Sequence, residues 1–144
     1  MTTADQQALT DALSAEYAAV YAYGVIAAYA NHDRDKLVAE YTAAHRARRD
    51  STIELLKASG ATVPEPAAAY TSPIVVNDPI PAANLAVTVE SDTAAAWRSL
   101  VERSSDDKLR RTGIDALTEC AVRLATWQSI LGANPITVAF PGQA

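Results

Sequence analysis

Apolar residues recur at steps of three and four along most of the chain, which is the spacing of one face of an α-helix. Four such segments run from about Thr3 to Ala30, Arg34 to Ser59, Ala82 to Ser104 and Asp107 to Leu131. In the first segment the positions on this face are Leu9, Leu13, Glu16, Val20, Tyr23 and Ala27, among which Glu16 is the one carboxylate. The pattern predicts an all-α protein built from four helices.

A proline-rich stretch, residues 61–81, separates the second helix from the third and holds five of the seven prolines. At about 3.1 Å per residue it can reach roughly 60 Å, farther than the ~40 Å length of a long helix. Such a reach is needed only in a bundle with one crossover connection. We therefore expect one domain, residues 1–144, with a crossover between helices two and three. The final segment, residues 133–144, is expected to fold back as an apolar strap.

Ionisable residues interrupt the apolar faces of the helices. Glu16, His45 and Glu90 lie within the inner faces of helices one to three, and Glu119 lies at the edge of the face of helix four. Because burying an unpaired charge is costly, each needs a counter-ion, a hydrogen-bond partner, a proton or a metal.

Two interpretations of this cluster stay open at this point. The inward residues either bind a metal, or they form a buried polar network in which a protonated His45 is shared between carboxylates with Arg48 as counter-ion. For Glu119 alone we expect a partly exposed ion pair with Arg123, four residues further along helix four.

Composition and charge exclude several classes of function. The net charge of -5 argues against a nucleic-acid-binding protein. The longest apolar run, Ala18 to Ala30, has 13 residues, which is too short to cross a bilayer. Residues 1–7 lack the basic and apolar blocks of a secretion signal, and the single cysteine, Cys120, fits a reducing compartment. We expect a cytoplasmic protein that binds neither nucleic acid nor membrane.

Helix one is apolar on nearly every side, because Tyr17, Tyr21, Val25 and Ala28 occupy its second face. Cover from a second copy of the chain would bury that face, so a homodimer is expected. Gly24 lies in the middle of this helix, where glycine costs about 1 kcal/mol relative to alanine. It is therefore expected to permit a close helix crossing or a local bulge.

Several strings of residues resemble an uncharacterised bacterial family of the ferritin-like superfamily. They are EYAAVYAYG from Glu16, HRARRD from His45, LTECAV from Leu117 and VAFPG from Val138. The resemblance implies a ferritin-like four-helix bundle, in which two iron or manganese ions are held by two single glutamates and two Glu-x-x-His motifs. The ligands implied in this chain are Glu16, His45, Glu90 and Glu119.

Two ligand positions depart from the ferritin-like motif. Thr42 stands three residues before His45, where the motif has glutamate, and Val122 stands three residues after Glu119, where it has histidine. Two functions therefore remain open. One is a degenerate carboxylate and histidine site that binds iron or manganese for redox chemistry. The other is a non-catalytic bundle without metal that serves as a dimeric interaction module or a small-ligand-binding module.

Overall fold

Four long helices make up most of the computed structural model, which describes residues 1–143. They are α1 (Thr3–Tyr29), α2 (Asp35–Ala58), α3 (Pro79–Arg103) and α4 (Asp107–Ile130). A single 3₁₀ turn, His32–Arg34, joins α1 to α2. The predicted all-α fold with a long connection between helices two and three is confirmed.

Short-range signals in the sequence account for where the helices begin and end. Thr2 and Asp5 form a reciprocal capping box at the start of α1, and the Asp106 side chain accepts a hydrogen bond from the Leu109 backbone at the start of α4. Gly60 adopts a φ of +76° just past α2, which is the left-handed conformation of a helix stop.

Helix α3 begins at Pro79, three residues before the predicted start at Ala82. Pro79 and Pro81 both lie in the first turn, where a backbone N–H has no partner within the helix and proline is therefore tolerated. The connection between α2 and α3 is correspondingly confined to residues 59–78.

Two apolar clusters show how the helices run relative to one another. One cluster joins the start of α1, around Leu9, to the end of α2, the end of α3 and the start of α4. The other joins the end of α1, around Ile26, to the start of α2, the start of α3 and the end of α4. Helices α2 and α3 are therefore parallel to each other and antiparallel to α1 and α4. The 59–78 connection must cross the length of the bundle to give this order.

The helices are not equally spaced. Helix α1 packs closely against α2 and α3, and α3 packs closely against α4. Helices α2 and α4 are instead bridged by large side chains, including the Tyr41 and Trp127 rings, whose centroids are 6.3 Å apart. Small residues make the close approaches: a Cβ on Gly113 of α4 would lie 2.7 Å from the Val101 Cγ2 atom of α3.

Gly24 is exposed and a Cβ there would meet nothing within 4 Å, so the close crossing expected at Gly24 is not found.

The crossover covers part of the second face of α1. The Tyr17 hydroxyl donates a hydrogen bond of 3.0 Å to the Pro64 carbonyl, and the rings of Tyr21 and Tyr70 lie 5.4 Å apart. The chain itself therefore supplies some of the cover for which a partner subunit was expected. The homodimer stays a prediction.

Residues 133–143 lie outside the helices and return to α3. The Arg98 side chain donates to the Pro141 carbonyl, and a Cβ on Gly142 would lie 2.7 Å from the Ala94 carbonyl oxygen. The apolar side chains of this strap stay largely exposed, as Phe140 shows at 67%. Its last residue, Ala144, lies outside the described residues. Across residues 1–143, no helix combines the length and apolar character needed to cross a membrane.

Candidate functional site

A layer of charged side chains lies at mid-height in the bundle, between the two apolar clusters. Glu16 of α1, His45 of α2 and Glu90 of α3 are completely buried there. The structure thus brings three of the four predicted site residues together, from three different helices.

His45 lies between the two carboxylates and contacts both. Its Nδ1 atom is 2.7 Å from Oε2 of Glu16, and its Nε2 atom is 2.7 Å from Oε1 of Glu90. An ionised carboxylate only accepts hydrogen bonds, so with both glutamates ionised both ring nitrogens donate, and His45 is then an imidazolium.

Further donors reach both carboxylates. The indole N–H of Trp97 donates to Oε1 of Glu16 at 2.8 Å, and the Tyr23 hydroxyl donates to Oε1 of Glu90 at 2.8 Å. Arg123 of α4 donates from Nε to both oxygens of Glu90, at 3.0 and 3.2 Å. Within residues 1–143, every buried side-chain nitrogen and oxygen has a hydrogen-bond partner.

The charges of this network balance. Burial acts to lower the pKa of His45, but its hydrogen bonds to Glu16 and Glu90 and the charges of those residues outweigh burial and raise the pKa to about 9. Burial likewise acts to raise the pKa of Glu90, yet His45 and Arg123 hold that pKa below its ordinary value. Two carboxylates thus face one imidazolium and one guanidinium in a buried region of the bundle.

Glu119, the fourth predicted site residue, lies apart from the network. Its side chain is 50% exposed and accepts a hydrogen bond of 2.9 Å from Arg48. Two expectations about counter-ions are therefore wrong: Glu119 pairs with Arg48 and not with Arg123, while Arg123 and not Arg48 balances the buried carboxylates. Arg123 lies near the centre of the core face of α4, whereas Glu119 lies at the edge of that face, about 40° further round the helix, where Arg48 of α2 reaches it.

Sequence reasoning missed Arg123 as a member of the network, although a signal for it was present. Ala116, Cys120, Arg123 and Trp127 follow one another at steps of four, three and four, which is the spacing of the core face of α4. All four are buried. The spacing therefore places an arginine on the core face of α4, in a bundle whose inward glutamates need a counter-ion.

The ferritin-like metal site can be tested against these residues, and they do not fit it. The two ring nitrogens of His45 are directed to different carboxylates, so the ring fills the space in which a shared cation would lie. Thr42 donates its hydroxyl to the Val38 carbonyl of its own helix, and Val122 is 61% exposed. In the part of the chain that the structure describes, no group of three or more His, Cys, Asp or Glu residues could hold a metal ion.

A second candidate site is a pocket of about 380 Å³ between α1 and α3. Its walls are mostly alanine and aliphatic side chains of these helices, and Tyr70 to Pro73 of the crossover close one side. The residues that line it are Ala15, Ala18, Ala19, Tyr21, Ala22, Val25, Tyr70, Thr71, Ser72, Pro73, Leu85, Thr88, Val89, Asp92 and Thr93. Sequence reasoning did not predict this pocket, because its shape depends on the path of an irregular segment.

Comparisons with known proteins agree with the fold and assign no activity. A crystal structure of a conserved hypothetical protein, Rv2844, from Mycobacterium tuberculosis matches with a TM-score of 0.88 and 45% sequence identity. The match covers 96% of this chain and 98% of that chain. No curated protein matches the sequence. The model of a family described as a domain of unknown function, DUF4439, matches residues 8–144. The chain therefore belongs to the DUF4439 family.

Proposed function

We propose that this protein is a non-catalytic, small-ligand-binding bundle of the ferritin-like type, whose buried centre is completed by its own side chains in place of a metal. The observation that carries the proposal is the pocket of about 380 Å³ between α1 and α3, beneath the crossover. Concave, mostly apolar sites of this size with a few polar groups are typical of small-molecule binding.

The ferritin-like assignment is supported by topology and by the position of the charged layer. Four helices with one crossover are the plan of ferritin-like bundles, which build their metal sites from facing helices in the core. Glu16, His45 and Glu90 project into the corresponding part of this bundle. The features that support the likeness are therefore the order of the helices and the polar residues that project into the bundle core.

The geometry favours the metal-free alternative over the metal site. A metal held by His45 and both carboxylates would need both carboxylates on the same side of the ring, near one ring nitrogen. Instead, Nδ1 contacts Glu16 and Nε2 contacts Glu90. It would also compete with the Arg123 guanidinium for Glu90. Iron or manganese bound by Glu16, His45, Glu90 and Glu119 stays a prediction, and the structure offers it less support than the completed network.

The chemistry of the pocket lining favours binding over catalysis. In the part of the chain that the structure describes, its only ionisable side chains are those of Tyr21, Tyr70 and Asp92, and no histidine, cysteine or lysine lines it as a nucleophile or base. The hydroxyls of Ser72 and Thr93 each donate to a backbone carbonyl, so neither donates to a side chain that could act as a general base. The lining can hold a ligand but has no nucleophile and base in contact.

A fluorescence titration tests this function. N-phenyl-1-naphthylamine, an uncharged apolar dye, is expected to bind saturably with one site per chain. Ala18→Trp, which fills the pocket from α1, is expected to abolish the saturable signal. Ala28→Trp places the same side chain on the exposed face of the same helix and serves as the matched control.

The outcome is interpretable only if both variants keep the parent helicity and melting temperature. Loss of dye binding in Ala18→Trp and its retention in Ala28→Trp would support the pocket as the site. Equal binding in the two variants, or no saturable binding in the parent, would contradict the proposed function.

A further inference from the structure

The pocket between α1 and α3 carries a single formal charge. Among the described residues, 1–143, Asp92 is its only carboxylate, and no lysine, arginine or histidine lines it. Within residues 1–143, Asp92 forms no salt bridge, as is also true of other exposed acids such as Glu40 and Asp115. A negative charge at the edge of an apolar pocket is therefore left without a cation from the protein itself.

Two aromatic rings line the same pocket as this carboxylate. Tyr21 of α1 and Tyr70 of the crossover have ring centroids 5.4 Å apart and are inclined at 57°. The faces of tyrosine rings attract cations, most strongly where water is partly excluded. The rings therefore favour a positively charged ligand, as the Asp92 carboxylate does.

We propose that the pocket binds small organic ammonium ions that carry an apolar ring or chain. The ammonium group lies against Asp92 and the tyrosine rings, and the apolar part lies between α1 and α3, against Ala18 and Val89. This inference rests on the proposed small-ligand-binding function and assigns the chemical class of the ligand.

The rest of the molecule favours the same class. The net charge of -5 draws cations toward the protein and repels anions. A carboxylate ligand of equal size would place like charge next to Asp92 with no cationic side chain in the lining to offset it. An uncharged ligand would gain the apolar contacts but not the ionic one.

Three probes of matched size separate these cases: 2-phenylethylammonium, 2-phenylethanol and 3-phenylpropionate. Each is titrated against the protein loaded with N-phenyl-1-naphthylamine, and displacement of the dye gives its affinity. We expect the ammonium to bind about fivefold more tightly than the alcohol, the effect of one partly exposed ion pair, and the carboxylate to bind most weakly.

Asp92→Asn tests the carboxylate directly, with Asp115→Asn as the matched control. Asp115 is exposed on α4, away from the pocket, and its substitution changes the net charge equally. Asp92→Asn is expected to weaken the ammonium about fivefold and to leave the alcohol unchanged, while Asp115→Asn changes neither.

Equal affinities for the three probes in the parent, or equal effects of the two asparagine variants, would overturn the inference. Retained dye binding that none of the three probes displaces would also overturn it, and would leave the proposed function standing. A parent protein that binds neither the dye nor any probe would overturn both.

Discussion

Two opposing effects act on the pKa of His45, and the effect of its two glutamate neighbours is the larger. Complete burial disfavours an imidazolium, but two carboxylates in hydrogen-bond contact favour it more strongly and raise the pKa to about 9. Arg123 supplies the second positive charge, so neither glutamate is left uncompensated. Removing one member of such a network exposes the others to the full cost of a buried charge, about 3–5 kcal/mol.

The raised pKa of His45 predicts how stability depends on pH. The pKa is about 9 in the folded protein and 6.5 in the ordinary case, so the stabilisation is fully present below pH 6.5 and is lost as pH rises through 9. We expect the free energy of unfolding to fall over this range by an amount on the order of 3 kcal/mol. Denaturant unfolding at a series of pH values measures it.

Glu90 makes the free energy of unfolding depend on pH in the acid range. Because the pKa of Glu90 is lowered, its stabilising contribution is present above the ordinary value of 4.5 and is lost as pH falls further.

Two histidine variants test the alkaline dependence. His45→Gln should remove the fall in the free energy of unfolding above pH 6.5, and His32→Gln, at an exposed histidine, should keep it. A parent protein whose free energy of unfolding is flat from pH 6.5 to 9 would show that His45 is not an imidazolium.

At the scale of the helices, the apolar period of the sequence predicted four elements and most of their ends. Local chemistry determines those ends, as the Thr2 capping box and Gly60 show. The predicted start of α3 at Ala82 is three residues late, because proline content alone does not separate a loop from the first turn of a helix, which also accepts proline. Periodicity also predicted that Glu16, His45 and Glu90 face inward, since each lies in phase with a core face.

Two glycines in helices separate the effect of helix propensity from the effect of packing. Gly24→Ala should stabilise the protein by about 0.5–1 kcal/mol, because a Cβ there meets open space. Gly113→Ala has the same gain in propensity but places its Cβ 2.7 Å from Val101 Cγ2, so it should be less stable than Gly24→Ala by about 1–3 kcal/mol. Equal stability of the two variants in chemical denaturation would show that α3 and α4 do not approach closely at Gly113.

At the scale of the whole molecule, the crossover determines more than the order of the helices. It sets α2 parallel to α3, covers Tyr17 and Tyr21 on α1, and closes the pocket between α1 and α3. Its length and proline content predicted that it crosses the bundle. Its path could not be predicted, because an irregular segment has no period that relates its residues to a neighbour.

The partners of the buried charges were predictable only in part, for a related reason. Spacing within one helix shows which side chains face inward, but it does not show which residues on two helices lie at the same height. Arg48 and Arg123 both lie on helices that border the core, and only the relative heights and phases of α2 and α4 separate the exposed pair with Glu119 from the buried pair with Glu90. The homodimer and the cytoplasmic location stay predictions of the sequence.

Elemental analysis tests most directly the claim that the buried centre is complete without a metal. The protein is purified without affinity metals and analysed before and after aerobic incubation with ferrous or manganous ion. We predict metal far below one ion per chain in both samples, and a melting temperature that a chelator does not change. Near-stoichiometric iron or manganese that is lost in His45→Ala would contradict the account and would restore the metal site of Glu16, His45 and Glu90.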